Sequence, residues 1–439
     1  MRMKPALVFS LLIMVYTLQA FAQAAADLSE IWDKEHVTNI LPSNARHKDL
    51  VKYLDDLKKL DVRVNEVGRS GQGREIFQIE WGKGPKRVFL WSQMHGDEPT
   101  ATSALIDMFT YLQKNRDKDW VKAIEQNLTI RAVPMLNPDG AEVYVRRNSQ
   151  GIDINRDARN LVTPEARLLK QLRDDWQPEI GFNLHNQQGL TTAGRTNKQA
   201  AISFLVVFGD EAKTMSPGHD RNRRLVVAMN QALSNFIPGH IARYGDEWSP
   251  TAFGDNFSAW GTPVILIETG ALYGKDEMHL VKMNFIAMMT AMKLLADGGF
   301  SAFNPDDYDL IPNNTSGRIM HFIFRNATMI DRAKPETTVI GDIGANLERR
   351  RAEQLQPSVI RQIGDLSSIA GLEEYDASQF NVTGRFQPLK TGTFGELLFY
   401  KKGREINWAS PDIEKEFPPD AIFSLGKWVK GEGLLKRRN

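Results

Sequence analysis

Short apolar runs that alternate with longer helical patterns most constrain what this chain can fold into. From about Gln23 to Phe303 the alternation is typical of an α/β domain. We therefore predict a mixed twisted sheet flanked by helices. The predicted strands cover residues 87–92, 127–134, 179–184, 201–208 and 263–268. The predicted helices cover residues 99–114 and 163–176, each with a proline near its first turn.

Residues able to bind a metal lie at or shortly after the ends of three of these strands. His95 and Glu98 follow the first, His185 follows the third, and Glu268 ends the last. In open α/β sheets the ligand crevice lies outside the carboxyl ends of the strands, so these distant residues are expected to converge there.

Two imidazoles and one carboxylate occupy three corners of a zinc tetrahedron and leave the fourth open, as a catalytic site requires. We therefore predict one Zn²⁺ per chain, with His95, Glu98 and His185 as ligands. Zinc lowers the pKa of a bound water from about 15.7 towards about 7, and a nearby carboxylate can take its proton. Glu268 is predicted to be this general base.

Composition narrows the chemistry further. The chain has no cysteine, so thiolate metal ligands and disulfides are excluded and His, Asp and Glu remain as ligands. The formal net charge is only +1, which gives no electrostatic basis for binding nucleic acid.

The first residues resemble a secretory signal. Arg2 and Lys4 precede an apolar run too short to span a bilayer, and Ala20-Phe21-Ala22 is a small-residue cleavage site. A retained anchor helix is the alternative. We predict a signal peptide over 1–22, a catalytic domain over 23–303, and an exported, periplasmic or extracellular protein that does not bind membrane after cleavage.

Residues 304–439 are predicted to form a small β-rich C-terminal domain. Turn-rich sequence follows Phe303, and strand-like segments then cover 321–330, 337–343 and 391–400. The basic cluster from Arg349 to Arg351 is interpreted as a solvated helix face.

The ordered residues His95-x-x-Glu98, Arg146 to Asn155-Arg156, His185 and Glu268 resemble the pattern of the zinc carboxypeptidase family. The resemblance covers roughly His95 to Gly270. It implies a zinc carboxypeptidase-like fold, a metallopeptidase activity, and a peptide substrate with a free C-terminal carboxylate.

The family resemblance also implies roles for the arginine-rich stretch. An Arg nine positions before the Asn-Arg pair polarises the scissile carbonyl in the family, which points to Arg146 here, with Arg147 as the alternative if the register shifts. Asn155 and Arg156 resemble the pair that binds the terminal carboxylate, a group suited to a planar guanidinium. Asp153 occupies the position of a carboxylate that orients the first zinc histidine.

Two further substrate-binding residues are implied less directly. Tyr244 is the nearest candidate for the family's mobile cleft tyrosine. Asp255 is expected near the pocket for the terminal side chain, where it could select a cation, although helix capping or solvent exposure explains it equally well. Asp97 stands where the digestive branch of the family has Arg, so contacts beyond the terminal residue are expected to differ.

The preferred hypothesis is an exported zinc metallocarboxypeptidase that hydrolyses the C-terminal peptide bond through a zinc-activated water. Two alternatives remain open. One is a zinc-dependent deacylase or amidase acting on N-acyl amino acids or cell-wall peptides, and the other is a non-catalytic peptide-binding relative. Loss of Glu268 or of a ligand would indicate the latter, and neither is lost.

Overall fold

The computed structural model describes residues 23–435 and the backbone of residues 437–438. The predicted signal peptide lies outside the described residues. The chain divides into two compact units. The first contains the described residues up to Gly189 together with Lys198–Asn314, and the second contains Leu190–Asn197 together with the residues from Thr315 onwards.

An eight-stranded mixed sheet forms the centre of the first unit, in the order β1-β2-β4-β3-β5-β9-β7-β8. Its strands are β1 (Arg63–Arg69), β2 (Glu75–Gly82), β3 (Lys86–Ser92), β4 (Leu128–Val133), β5 (Ile180–Asn186), β7 (Ile202–Val207), β8 (Ile241–Arg243) and β9 (Val264–Thr269), whereas β6 (Thr192–Ala193) belongs to the second unit. The predicted fold class and all five predicted strands are confirmed.

The four central strands β4, β3, β5 and β9 are parallel, so their carboxyl ends lie at one edge of the sheet. The next strand, β7, is antiparallel to β9. In this register Glu268 pairs with His185 on one side and with Ser203 on the other. The sheet therefore places the proposed base directly beside a proposed metal ligand.

Helices cover both faces of this sheet. They are α1 (residues 23–35), α2 (His47–Lys59), α3 (Thr100–Lys114), α4 (Asp119–Asn127), α5 (Pro138–Val143), α6 (Pro164–Trp176), α7 (Pro217–Ser234), α8 (Phe253–Ala259) and α9 (Glu277–Asp297). The start of α6 shows how the sequence sets these boundaries, because the Thr163 hydroxyl accepts a hydrogen bond from the Ala166 N–H and Pro164 occupies the first turn.

Two apolar clusters form the core of this unit. One contains the buried faces of α3, α7 and α9 with Phe182 and Leu184 of β5, and the other contains Trp91, Phe253 and Phe257. Burial on both faces explains why the central strands are nearly continuous apolar runs. Within β5, alternation places Asn183 on the same face as His185.

The first unit continues past residue 303, where the sequence analysis ends the catalytic domain. A 3-10 helix, Pro305–Leu310, follows α9, and Tyr308 and Ile311 belong to the larger apolar cluster. The Tyr308 hydroxyl accepts a hydrogen bond from the Val206 N–H of β7. These contacts tie the segment to the main sheet.

The second unit is β-rich, as predicted. The strands after β6 are β10 (Asn314–Thr315), whose Thr315 begins this part of the unit, β11 (Ile319–Ile330), β12 (Thr338–Leu347), β13 (Ser358–Gly364), β14 (Ala370–Asp376), β15 (Phe380–Gly384), β16 (Leu397–Lys401), β17 (Ala421–Ser424), β18 (Lys427–Lys430) and β19 (Arg437–Arg438). A short α-helix, α10 (Ile413–Glu416), and a 3-10 helix, Glu432–Leu434, also belong to it. Its core contains Phe322, Phe324, Phe380, Phe399 and Phe423.

Two sequence interpretations within this unit are wrong. The predicted strand over 391–400 begins only at Leu397, because a turn that includes Gly392 at a φ of 86° precedes it. Arg349 to Arg351 form no helix, and they lie in the loop after β12, where Arg351 is buried.

Candidate metal centre

The predicted ligands converge at the carboxyl edge of the central sheet. His95 and Glu98 lie in a turn after β3, closed by a 3.1 Å hydrogen bond from the Glu98 N–H to the His95 carbonyl, and His185 is near the end of β5. One ligand atom from each residue lies within 4.8 Å of the others, and all three side chains are buried. Among the described residues this is the one group of His, Asp and Glu arranged to hold a metal ion.

The donor atoms and their charges fit a divalent cation. The Nδ1 atoms of His95 and His185 lie 2.9 and 2.7 Å from opposite oxygens of Glu98, and 3.2 Å from each other. Burial opposes ionisation of Glu98, but the two imidazoles outweigh it and hold its pKa well below the usual range. Two nitrogens and one carboxylate are typical of catalytic zinc sites.

The two histidines differ in their electrostatic surroundings. Burial disfavours the charged form of His95, but Glu98 and Asp153 outweigh it and raise its pKa to about 9. Burial lowers the pKa of His185, against the attraction of Glu98. A bound cation would therefore replace the His95 proton as the counter-charge of Glu98.

Asp153 joins the candidate metal ligands to the stretch that contains Arg146 and Asn155. Its Oδ1 lies 3.1 Å from His95 Nε2 and accepts a hydrogen bond from the Asn155 N–H at 2.9 Å, while its Oδ2 accepts one from Arg146 Nε at 2.9 Å. Burial raises the pKa of Asp153, but His95 and Arg146 outweigh this effect and lower it overall. One carboxylate thus orients an imidazole, a guanidinium and a turn.

Of the two adjacent arginines, Arg146 lies at the metal centre. Its Nη1 is 3.1 Å from His95 Nδ1 and 3.4 Å from Glu98 Oε1. Arg147 is exposed and donates a hydrogen bond to the Gly151 carbonyl at 3.0 Å. Of the two alternatives that the sequence left open, the structure therefore places Arg146, and not Arg147, beside the candidate metal ligands.

Asn155 and Arg156 lie in a 3-10 helix (Ile154–Arg156) that follows Asp153. The Asn155 Oδ1 accepts a 2.8 Å hydrogen bond from the Phe253 N–H at the start of α8. Arg156 is exposed, and its Nη1 donates to the Asn155 carbonyl at 2.7 Å. Its charge acts on Tyr244 and Asp255, and an exposed guanidinium of this kind is suited to binding a carboxylate.

Glu268 and Tyr244 share the electrostatic environment of the metal centre. Glu268 is buried beside His185 in the sheet register. Burial, and then the negative charges of Glu268 and Glu98, raise the pKa of Tyr244 to about 12. Tyr244 is partly buried, and its N–H donates to the Phe204 carbonyl at 2.8 Å.

Asp255 lies in the first turn of α8, where its Oδ1 accepts a 2.9 Å hydrogen bond from the Ser249 N–H. Burial raises its pKa to about 6, against the hydrogen bond from Ser249 and the charge of Arg156. This contact joins Asp255 to the loop before α8, so it is neither the helix cap nor the solvent-exposed position that the sequence left open as alternatives to substrate selection.

Asn183 is a candidate residue that the sequence analysis did not name. It is almost fully buried two residues before His185, and its Oδ1 has no hydrogen-bond partner among the described residues. Its Nδ2 faces Gly254 of α8, where an added Cβ would lie 3.2 Å away. The alternation in Phe182-Asn183-Leu184-His185 was the available signal, because it places both polar residues on one strand face.

Comparison with known proteins extends this description. Residues 50–215 match the model of the zinc carboxypeptidase family. The chain is 29% identical over 119 residues to carboxypeptidase SOL1 of Arabidopsis thaliana, covering 25% of this chain and 24% of that protein. It is also 29% identical over 143 residues to the human carboxypeptidase N catalytic chain, covering 27% and 31% respectively. The chain thus spans about a quarter of the length of the first of these curated relatives.

Among solved structures, the chain is similar to a metallo-carboxypeptidase from Burkholderia cenocepacia. The sequences are 16% identical, the TM-score is 0.46, and the match covers 57% of this chain and 69% of that one. Within the part of the chain that the structure describes, no helix has both the length and the apolar character of a membrane span.

Proposed function

We propose that this chain, which belongs to the zinc carboxypeptidase family, is an exported zinc metallocarboxypeptidase that removes the C-terminal residue of peptides. The observation that carries the proposal is the buried cluster of His95, Glu98 and His185, with Glu268 beside it in the sheet register. Arg146 adjoins the same cluster.

His95, Glu98 and His185 would hold one Zn²⁺, which when bound polarises a carbonyl and acidifies water. Glu268 accepts the proton of the attacking water on its carboxylate and then passes it to the leaving amine. The burial of Glu268 and its pairing with His185 in the sheet register support this role.

The remaining residues position the substrate and stabilise its developing charge. Arg146 donates to the oxyanion that forms on the scissile carbonyl, a contribution expected to be large in such reactions. Arg156 and Asn155 bind the free carboxylate, which fixes the scissile bond one residue from the end of the peptide. Tyr244 covers the bound residue, and an ionised Asp255 would favour a cationic terminal side chain.

Export is part of the proposal and rests on residues 1–22. The basic start, the short apolar run and the small-residue site at Ala20-Phe21-Ala22 support cleavage after Ala22. Amino-terminal sequencing of the protein recovered from fractionated cells tests this. We expect a mature chain that begins at Gln23 and is found outside the cytoplasm. An uncleaved chain that still begins at Met1 and remains in the cytoplasm would contradict export.

The decisive experiment combines Glu268→Gln with a substrate panel. The variant is expected to keep stoichiometric zinc, measured by elemental analysis, and to lose at least about a hundredfold in kcat, because general-base catalysis contributes about 10² to 10⁴. Glu125→Gln is the matched control, since Glu125 is equally buried, at 8% exposure, but lies on α4.

The panel contains peptides ending in Arg or Phe, an N-acyl amino acid and a wall-derived peptide. Release of single C-terminal residues supports the proposed function. Hydrolysis of the N-acyl amino acid alone would indicate the deacylase alternative. Tight peptide binding without turnover by the zinc-loaded protein would indicate the non-catalytic alternative, and near wild-type turnover by Glu268→Gln would remove Glu268 from the mechanism.

A further inference from the structure

We propose that a basic cleft next to Arg146 binds an acidic side chain in the part of the peptide that precedes the scissile bond. The inference rests on the proposed function and deepens it by naming a substrate class. The cleft has a volume of about 520 Å³ and lies wholly in the first unit. Its lining includes Arg74, Arg146, Arg147, Asp139, Val143 and Val145.

The charge of the cleft wall is positive. Three guanidinium groups and one carboxylate line it. The carboxylate, Asp139, is buried and fully engaged, because it accepts hydrogen bonds from the Ser70 hydroxyl, the Gln72 N–H and Arg74 Nη1 at 2.7 to 2.9 Å. Its partner Arg74 remains about a third exposed, so the cation of this pair is the member that a ligand can reach.

Arg147 supplies the charge that the fold itself does not use. It is exposed, and its Nη1 donates a 3.0 Å hydrogen bond to the Gly151 carbonyl. No carboxylate lies within ion-pair distance of its guanidinium in the described part of the chain. Arg146 differs, because Asp153 and Glu98 already neutralise it. An anionic ligand would therefore pair with Arg147 first.

Position identifies which part of a peptide would enter the cleft. Arg146 lines the cleft and also adjoins the metal ligands, so the cleft begins at the reaction centre. Asn155 and Arg156, which are proposed to bind the terminal carboxylate, are absent from its lining. A carboxypeptidase substrate has one residue on the carboxyl side of the scissile bond, so a second cleft can receive only residues from the other side.

The apolar part of the wall fits the same ligand. Val143 and Val145 are 66% and 45% exposed, where the chain leaves α5 through Tyr144 at a φ of 56°. Isolated exposed valines at a cleft rim can contact the methylene groups of a glutamate while its carboxylate reaches the arginines. The wall thus presents both apolar and basic side chains.

A set of peptides that share the same C-terminal residue tests the inference. Each peptide carries Glu, Ala or Lys at one of the second to fifth positions from the C-terminal end. The zinc-loaded wild-type enzyme is expected to prefer Glu over Ala at one position by about twofold to fivefold, the range of a partly exposed ion pair. The preference is expected in KM, to be reversed for Lys, and to weaken with salt.

Arg147→Gln is expected to bring the Glu-to-Ala ratio of kcat/KM to about one. Arg167→Gln is the matched control, because Arg167 is also exposed, donates only to backbone carbonyls and lies on α6 outside the cleft. The ratio should be unchanged in this control. Fluorescence anisotropy of the labelled Glu and Ala peptides on zinc-loaded Glu268→Gln protein gives the same ratio as Kd values, without turnover.

The outcomes separate this inference from the proposed function. If all peptides are hydrolysed and bound with a ratio near one at every position, the cleft does not recognise acidic residues, although the peptidase function stands. If Arg147→Gln keeps the preference, the inference is also overturned. If no peptide is hydrolysed but the Glu peptide binds more tightly in an Arg147-dependent way, the cleft stands and the peptidase proposal fails.

Discussion

Asp153→Asn tests how the metal centre depends on a single supporting carboxylate. The substitution keeps the shape of the side chain but replaces one acceptor oxygen with an NH₂ donor. In the native site Oδ1 faces His95 Nε2 at 3.1 Å and Oδ2 faces Arg146 Nε at 2.9 Å, so both neighbours are donors when zinc is bound through the other His95 nitrogen. The new amide can satisfy only one of them.

The expected magnitude follows from the lost contact. One hydrogen bond to a charged group is worth about 1.5–3 kcal/mol. Mutation of a carboxylate that orients a zinc histidine typically lowers metal affinity by about 10- to 100-fold, which corresponds to about 1.4–2.7 kcal/mol. The two estimates agree, so the zinc Kd of the variant is expected to rise by about 10- to 100-fold.

Competition with a colorimetric chelator measures this Kd, and Asp157→Asn provides the control. Asp157 is also a buried aspartate four residues further on, but it accepts hydrogen bonds from the Val162 and Thr163 N–H groups and from the Thr163 hydroxyl at 2.8–2.9 Å. Its substitution is expected to lower thermal stability and to leave the zinc Kd unchanged. An Asp153→Asn protein with wild-type zinc affinity, or an equal loss in both variants, would refute the reasoning.

Three further predictions concern stability. Burial raises the pKa of Asp255 to about 6, so the free energy of unfolding is expected to fall by about 3 kcal/mol as pH rises from about 4 to about 6, at about 1.36 kcal/mol per pKa unit. Urea unfolding should show this pH dependence in the wild-type protein and lose it in Asp255→Asn. An unchanged pH dependence in the variant would contradict the prediction. Burial lowers the pKa of His321 to about 4, so a similar loss in the free energy of unfolding is expected as pH falls from about 6.5 to about 4. His321→Gln should remove this loss from the urea unfolding curves of the second unit. Arg325→Met should destabilise the second unit by about 3–5 kcal/mol. The substitution removes the guanidinium that lies 2.9 Å from Asp342 and 2.7 Å from Glu374, so both carboxylates become partly buried charges without this partner. A change below about 1 kcal/mol in calorimetry would contradict this prediction.

The sequence predicted the parts of the structure that depend on local pattern. Apolar runs of strand length identified the central strands, and the position of His95, Glu98, His185 and Glu268 at or shortly after the ends of three runs predicted them as a group. His95, Glu98 and His185 lie together in the structure, with Glu268 paired to His185, because parallel strands place their carboxyl ends at one edge of the sheet. Local turn chemistry also set the start of α6.

Site roles that depend on which side chains contact each other were harder to predict from the sequence. The sequence allowed either Arg146 or Arg147 at the metal centre, and only the folded chain shows which guanidinium contacts His95. Asn183 was missed because the alternation in β5 places it on the same strand face as His185 but does not show which groups its amide faces. The strand predicted over 391–400 was wrong because a glycine turn outweighed the apolar pattern.

The amino-acid sequence by itself determined the strand-end chemistry, the absence of thiolate ligands and the class of fold. Only the tertiary structure decided which groups face one another, such as Asn155 with the Phe253 N–H across 98 residues, and where a basic cleft opens beside Arg146. The physical reason is range. Alternation and turn preferences depend on neighbouring residues, whereas a hydrogen bond between distant segments depends on the packing of every element between them.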